Sequence, residues 1–223
     1  MKRIGLLLIC CLTFGLLSAQ RQLQVQPVFD GEPLVLEDSL PTQHELQIES
    51  LRFYLSKFEL YEEGVLRFAE QDSYHLIDLE DPSSMKITLP VSDSLRATHL
   101  HFQLGVDSLT NMAGAQGGDL DPMHGMYWTW QSGYINFKLE GTASNCPARQ
   151  NRFMYHIGGF QAPYNSIKQI ELQIPESGLI NLQLAVDQIL QSVDQAETYQ
   201  IMSPSEQALE FARQCATAFQ IAP

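Results

Sequence analysis

The sequence predicts a mainly β protein: a single antiparallel β-sandwich or barrel-like domain with a short C-terminal helix. Three observations lead to this fold class. Apolar and polar residues alternate in many short segments, which is typical of strands with one buried face. Clusters of Asp, Gly, Pro and Ser separate these segments, as expected of turns. Apolar residues recur at helical spacing only near the C-terminus.

The N-terminal segment predicts export. A basic start is followed by an apolar run over residues 4–17 and by the small residues Ser18 and Ala19. We interpret residues 1–19 as a secretory signal peptide and residues 20–223 as one β domain. The apolar run is too short to span a membrane, and its two cysteines lack the small residues usual before a lipidated cysteine. We therefore expect a periplasmic or secreted chain with no transmembrane segment in its mature form.

The strand predictions follow the alternating pattern along the chain. The longest segment alternates from Leu46 to Leu60 and predicts one long strand, or two strands joined by a bulge. The predicted strand segments are 23–36 (with a turn at Asp30-Gly31), 44–61, 73–79, 85–90, 99–106, 126–141, 151–160, 167–175 and 179–190. Residues 107–125 are rich in Asp, Asn and Gly and predict a long loop, which in a compact domain is usually functional or disordered.

The C-terminal helix is predicted from its start signals. Ser203 can serve as the N-cap, Pro204 fits the first turn, and Glu206 occupies the capping-box position. Apolar residues then recur on one side up to Ala216. We expect a short helix packed on the β domain.

Charge and motifs narrow the function classes. The formal net charge is −13, so the long-range field repels the phosphates of nucleic acids. No nucleophile elbow, phosphate-binding loop or dinucleotide fingerprint is present in the sequence. We expect a protein that is not an enzyme and that does not bind nucleic acid.

Two cysteines, Cys146 and Cys215, remain outside the predicted signal peptide. An oxidising export compartment favours a disulfide between them. Two free thiols are the alternative. We predict the disulfide.

The only two tryptophans of the chain, Trp128 and Trp130, lie two residues apart after an acidic, glycine-rich loop. On a strand, residues two apart share a face, so the pattern predicts adjacent indole rings. Core packing is the simpler explanation for such a pair. The alternative is a stacking surface or a site with chemistry.

Four histidines could contribute to a metal site. His99 and His101 form an alternating pair on one strand, His124 lies just before the tryptophans, and His156 follows in the segment FMYHIGG. Imidazole suits copper, zinc, iron and nickel. The simpler explanation is that these histidines are ordinary polar strand or loop residues.

The acidic loop allows a calcium site as well. Asp107, Asp119 and Asp121 supply oxygen ligands of the kind that calcium prefers. Their spacing does not match an EF-hand, and Asx turns explain the same residues.

The chain resembles the MbnP-like family, which includes the copper-repressible surface proteins of methane oxidisers. The matching segments are LRFYLSKFELY, HFQLGVDSLTN, GDLDPMHGMYWTWQSGYINFKLEG and FMYHIGG, in that order. The resemblance implies that a tryptophan is oxidised to kynurenine by a partner di-haem enzyme of the MauG type. It also implies that the modified side chain binds copper together with histidines.

The resemblance carries over to particular residues. Trp128 and Trp130 match the tryptophan pair, and His156 matches the later histidine. His124, His101 and His99 compete for the place of the other copper ligand. The sequence therefore favours an exported copper-binding or copper-handling protein. The alternative is a non-catalytic β-sandwich module that binds a partner protein or small ligand without copper.

Overall fold

The computed structural model describes residues 20–131 and 133–222. The predicted signal peptide lies outside the described residues. Strands dominate the described chain, as the sequence predicts. The strands are β1 (Gln20–Phe29), β2 (Glu32–Pro33), β3 (Gln47–Glu62), β4 (Val65–Ala69), β5 (Tyr74–Asp78), β6 (Lys86–Ser92), β7 (His99–Leu104), β8 (Tyr127–Trp128), β9 (Gly133–Thr142), β10 (Arg152–Gly158), β11 (Lys168–Gln173), β12 (Ile180–Ala185), β13 (Gln200–Ile201) and β14 (Phe219–Ile221). The α-helices are α1 (Ser108–Ala113), α2 (Val186–Gln191) and α3 (Glu206–Thr217).

The strands form two sheets. The small sheet has the order β14-β12-β1-β2, and β6 also pairs with β1. The large sheet has the order β11-β7-β3-β9-β10-β13, with β4 and β5 pairing with β3 and β8 pairing with β9. Most neighbours are antiparallel, whereas β1–β12 and β10–β13 are parallel. The predicted fold class is confirmed, but the sheets are mixed rather than purely antiparallel.

The two sheets pack face to face around the main core. Phe219 of the small sheet makes edge contacts with Phe53 and Phe102 of the large sheet, at ring-centroid distances of 5.8 and 5.5 Å. The helix α3 closes the core near β10, where the Phe211 ring lies 4.9 Å from that of Tyr155. Burial of these alternating apolar residues is the main favourable term in folding.

The strand β3 is the centre of the large sheet. It pairs with β7 and β9 along its length and carries the alternation that the sequence displays. The register shifts between Ser56 and Glu59, and Lys57 takes a left-handed φ of 53°. The structure therefore combines the two predicted alternatives, because β3 is one long strand that contains a bulge.

The helix starts differ from the sequence predictions. The N-cap of α3 is Ser205, not Ser203, because the Ser205 hydroxyl accepts a hydrogen bond from the Ala208 amide at 3.1 Å.

Two short helices were not predicted. α1 begins after Asp107 inside the predicted loop, and α2 follows β12, where the sequence predicts a continuous strand. Both helices have only six residues, so their helical spacing is too brief to stand out.

The predicted disulfide is not formed. Cys146 and Cys215 are free, buried thiols. The Cys146 thiol donates a hydrogen bond to the Arg152 carbonyl at 3.2 Å. Burial raises the pKa of the Cys215 thiol well above its ordinary value. Both thiols therefore behave as small core side chains.

No helix in the described part of the chain is both long and apolar enough to cross a membrane.

Candidate functional site

The long loop predicted after β7 is an ordered cover on the outer face of the large sheet. We call residues 107–131 the cap. The Tyr54 hydroxyl on β3 donates to the Asp119 carbonyl at 2.9 Å, and the Leu76 amide on β5 donates to the Asp119 carboxylate at 2.9 Å. The Tyr134 hydroxyl on β9 donates to the Leu120 carbonyl at 3.1 Å. Three strands thus hold the cap in place.

A second, smaller apolar cluster lies between the cap and the sheet. Its buried members are Tyr54, Leu76, Val106, Leu120, Met126, Trp128, Tyr134 and Ile135. The rings of Tyr54 and Tyr134 meet edge to face at 5.9 Å. Burial strongly raises the pKa of the Tyr54 hydroxyl. The cluster is therefore a dry layer on the side of the sheet that faces away from the main core.

Two aspartates of the cap accept hydrogen bonds from backbone amides within the cap. Asp107 caps α1 by accepting from the Leu109 and Thr110 amides, and Asp121 accepts from the Met123 amide. Burial and the bond to Asp107 raise the pKa of Tyr74 to about 12. Within residues 20–131 and 133–222, no three His, Cys, Asp or Glu side chains come together to hold a metal ion. The Asx-turn explanation accounts for these aspartates without a cation.

Trp128 is buried at the edge of this cluster. Its indole is 5% exposed and packs over Gly158 on β10. A Cβ atom at Gly158 would lie 2.6 Å from the Trp128 ring and 2.7 Å from the Tyr134 carbonyl. Only glycine allows the indole this position. The Trp128 Nε1 is buried and has no hydrogen-bond partner among the described residues.

Trp130 lies in the turn between β8 and β9 rather than on a strand. Its side chain is 65% exposed. The two indole rings are still neighbours, with centroids 5.7 Å apart and planes at 43°. The prediction of a shared strand face is wrong because β8 ends at Trp128, and the turn carries Trp130 outward.

His156 faces the same side of β10 as Gly158, two positions earlier along the strand. Its side chain is 11% exposed, and its Nε2 donates a hydrogen bond to the Glu140 carboxylate on β9 at 2.6 Å. This hydrogen bond, with Lys138 3.6 Å away, lowers the pKa of Glu140. Successive same-face positions on a strand are about 7 Å apart, so His156 lies beside the Trp128 site.

His124 lies on the cap and is exposed. Its carbonyl accepts from the Arg52 guanidinium at 3.2 Å, and its Nε2 is 3.1 Å from the Gly118 carbonyl. Arg52, Lys138 and His156 are cross-strand neighbours on β3, β9 and β10. His124 is therefore hydrogen-bonded to Arg52, which lies two strand spacings, or about 10 Å, from His156.

His101 lies in a different part of the outer face. It stacks on Tyr61 at 4.3 Å, and its Nε2 is 3.5 Å from the Glu171 carboxylate. His101 pairs with Glu59 on β3. His156 pairs through Lys138 of β9 with Arg52 on β3. These two positions are about 20 Å apart along the strand. His101 and His156 cannot ligate one metal ion in this fold.

The structure places Trp128 beside Trp130, and it places His156 two positions from Gly158, over which Trp128 packs. It adds two residues that the sequence analysis did not select, Glu140 and Gly158. The alternation in FMYHIGG places Gly158 on the His156 face, which is a usable signal. Glu140 gives no such signal, because its nearness to His156 depends on the pairing of β9 with β10.

Comparisons with known proteins agree with the resemblance. A family model for MbnP matches residues 18–203. Among solved structures, MbnP from Methylosinus trichosporium has a similar fold, with a TM-score of 0.53 and 16% sequence identity over 79% of this chain and 78% of that chain. No curated protein matches the chain in sequence.

Proposed function

Because the chain belongs to the MbnP family, we propose that it is an exported copper-handling protein. Its copper ligands would be Trp128, after oxidation to kynurenine, and His156. The proposed role is non-catalytic: the chain binds the metal, and a partner di-haem enzyme of the MauG type carries out the oxidation. The observation that carries the choice of Trp128 is its buried indole nitrogen, which lacks a partner in the described chain.

The Trp128 nitrogen fits this role for a chemical reason. An indole N–H is a donor only and cannot ligate a metal. A buried donor without a partner costs about 1–3 kcal/mol, so the native site carries a penalty that the packing over Gly158 must offset. Kynurenine has an aryl amine with a lone pair and a side-chain carbonyl. The modification therefore replaces an unsatisfied donor with groups that can approach a cation.

His156 fits the second ligand position. Histidine ligands commonly donate one ring N–H to a carboxylate, which fixes the ring and leaves the other nitrogen for the metal. In this chain the Nε2–H of His156 is donated to Glu140, so Nδ1 is the nitrogen available to copper. Two donors are the least that Cu(I) needs, and imidazole is a suitable ligand for copper. His124 is the remaining candidate for a third ligand, since it is an exposed cap residue on the same outer face of the large sheet.

The experiment is co-expression of the chain with the di-haem enzyme of its native host. The readouts are bound copper and the mass of the peptide from Met126 to Lys138. Kynurenine formation exchanges one carbon for one oxygen in net composition, which mass spectrometry resolves. We expect Trp128→Phe to abolish both the mass change and copper binding, and the matched variant Trp130→Phe to retain modification at Trp128.

Histidine variants separate ligation from modification. We expect His156→Ala to keep the mass change and to lose copper, while His101→Ala keeps both. Modification at Trp130 instead of Trp128 would contradict the choice of residue. Copper bound equally well by His156→Ala would contradict the ligand. An unmodified, copper-free wild type would favour the binding-module alternative.

That alternative rests on a separate observation. Four apolar side chains of the cap are each more than half exposed: Leu109, Met112, Met123 and Trp130. Exposed apolar surface of this kind marks interaction sites. A module that binds a partner through this surface needs neither copper nor a modified tryptophan.

A further inference from the structure

A buried serine hydroxyl lies on the outer face of the large sheet without a hydrogen-bond partner. Ser50 on β3 is 7% exposed, and its Oγ makes no hydrogen bond to the described chain. Ser56, on the same strand, is also buried, but its hydroxyl donates to the Gly105 carbonyl at 2.8 Å. Buried polar groups are nearly always hydrogen-bonded, so the exception at Ser50 needs a physical explanation.

The residue directly opposite Ser50 is Glu140 on β9. Residues paired in this way share a face of the sheet, and their Cβ atoms are about 4.5–5.5 Å apart. Both close contacts of the Glu140 carboxylate use one oxygen, Oε1, which accepts from His156 Nε2 at 2.6 Å and lies 3.6 Å from Lys138 Nζ. Within the described residues, the second oxygen, Oε2, receives no hydrogen bond. An unpaired donor therefore faces an unpaired acceptor.

Lys138 competes with His156 for the Glu140 carboxylate. Lys138 is the cross-strand partner of His156 in the β9–β10 pair, and its ammonium group approaches the same oxygen. The carboxylate group can rotate about the bond that joins it to its side chain. Without a contact at Oε2, this rotation can turn the carboxylate away from the imidazole and towards Lys138. A hydrogen bond to Oε2 prevents the rotation.

Arg52 does not supply that hydrogen bond. It is the next residue after Ser50 on the outer face of β3, but it forms ion pairs with Asp78 and Glu80 at 2.8 and 2.9 Å. These carboxylates lie on the side of β3 opposite to β9. The Ser50 hydroxyl is uncharged and rotates freely about its C–O bond, so it can reach Glu140 without disturbing either ion pair.

We propose that Ser50 is a positioning residue for His156. Its hydroxyl donates to Oε2 of Glu140 and thereby holds Oε1 on Nε2 of the imidazole. The chain Ser50–Glu140–His156 keeps the imidazole proton on Nε2 and leaves the Nδ1 lone pair free. Its link to copper rests on the proposed function, in which Nδ1 is the ligand atom. Partners behind a metal-binding histidine fix the orientation of its ring and increase metal affinity.

Nitrogen-15 NMR of the unmodified, metal-free chain tests the arrangement at neutral pH. The nitrogen shifts of His156 report which ring nitrogen carries the proton. We expect the Nε2–H tautomer to dominate in the wild type. Ser50→Ala should increase the Nδ1–H fraction roughly twofold or more, because the tautomer is set by the hydrogen bond that the ring makes.

Two variants control for changes in stability. Ser50→Thr retains the hydroxyl on a residue that suits a strand, so it should keep the wild-type tautomer. Ser56→Ala removes a hydrogen bond from the same strand without touching Glu140. It should lower the thermal midpoint and leave the His156 tautomer unchanged.

Copper affinity is the second readout, measured on chains co-expressed with the di-haem enzyme. Ser50→Ala should weaken copper binding by about tenfold, as is typical when a partner of a metal-binding histidine is lost. Ser50→Thr should bind copper as the wild type does. The mass change of the peptide that contains Trp128 should be the same in both variants.

Three results would overturn the inference. They are a wild-type His156 protonated on Nδ1, a Ser50→Ala tautomer identical to the wild type, and an equal shift in Ser56→Ala. A confirmed tautomer pattern in a chain that is modified but binds no copper has a different meaning. It would support the role of Ser50 towards His156 and reject the proposed copper function.

Discussion

Two regions on the outer face of the large sheet contain the same pair of residue types but differ in their surroundings. Beside the cap, His156 lies 2.6 Å from Glu140, and both side chains are largely buried. On the β7–β11 side, His101 lies 3.5 Å from Glu171, and the glutamate is 64% exposed. In the first pair, the hydrogen bond from His156 lowers the pKa of the Glu140 carboxyl. A histidine and a glutamate therefore become a defined unit only where neighbouring structure removes water from them.

The cap is what distinguishes the two regions. It adds a second apolar layer that contains Trp128, and the layer reaches β10 through Gly158. Charge interactions are stronger where the local dielectric is low. The β7–β11 region has no comparable cover from the described chain, and its His101 is held mainly by stacking on Tyr61. Substitutions at residues that the cap buries can be compared with substitutions at residues that remain exposed.

The largest expected effect is at the tryptophan pair. Trp128→Ala should lower the free energy of unfolding by about 3–5 kcal/mol, because a large buried ring leaves a cavity. Trp130→Ala, at the exposed neighbour, should change it by less than about 0.5 kcal/mol. Urea unfolding followed by far-UV circular dichroism measures both. Similar losses for the two variants would mean that the cap does not bury Trp128 in solution.

A smaller effect is expected at the glycine beneath Trp128. Gly158→Ala should lower the free energy of unfolding by about 1–3 kcal/mol, since the new methyl group meets both an indole ring and a backbone carbonyl. Gly117→Ala is the matched control within the cap, because no atom lies within 4 Å of its Cβ position. The control should be as stable as the wild type or slightly more stable. A neutral Gly158→Ala would show that the indole can move without cost.

The smallest expected effect is a pH dependence. Folding lowers the pKa of Glu140, so its contribution to stability is present above the ordinary glutamate pKa of about 4.3. That contribution is lost as the pH falls through the lower, folded-state value. Glu140→Gln should cost about 1 kcal/mol near neutral pH, and the difference from wild type should shrink below about pH 4.

The control for Glu140→Gln is the His101–Glu171 pair, which the cap does not cover. Glu171→Gln should show no pH-dependent difference from wild type, because exposed ion pairs contribute little. Unfolding free energies measured between about pH 3 and 7 compare the two variants. Equal curves for Glu140→Gln and Glu171→Gln would remove the distinction between the two regions.

Predictions that rest on local sequence patterns were confirmed, whereas predictions that depend on which distant segments meet were wrong. Strand positions, the bulge in β3 and the C-terminal helix follow from alternation and spacing, which are local properties of the chain. The disulfide, the continuous strand after Ile180 and the shared face of the tryptophans were wrong. Each of these depends on where a chain reversal or a packed neighbour lies. For example, β8 ends at Trp128 because the chain turns back to pair with β9.

The sequence by itself determined that this chain is a mainly β domain of the MbnP family, and it identified both tryptophans and three histidines (His156, His124 and His101) as candidate site residues. Only the tertiary structure decided that Trp128 is buried and Trp130 exposed, that His156 meets Glu140, and that His101 lies about 20 Å away. The physical reason is that alternation specifies which face a side chain occupies. Strand order, register and the position of the cap specify which faces meet, and these depend on pairings between residues distant in sequence.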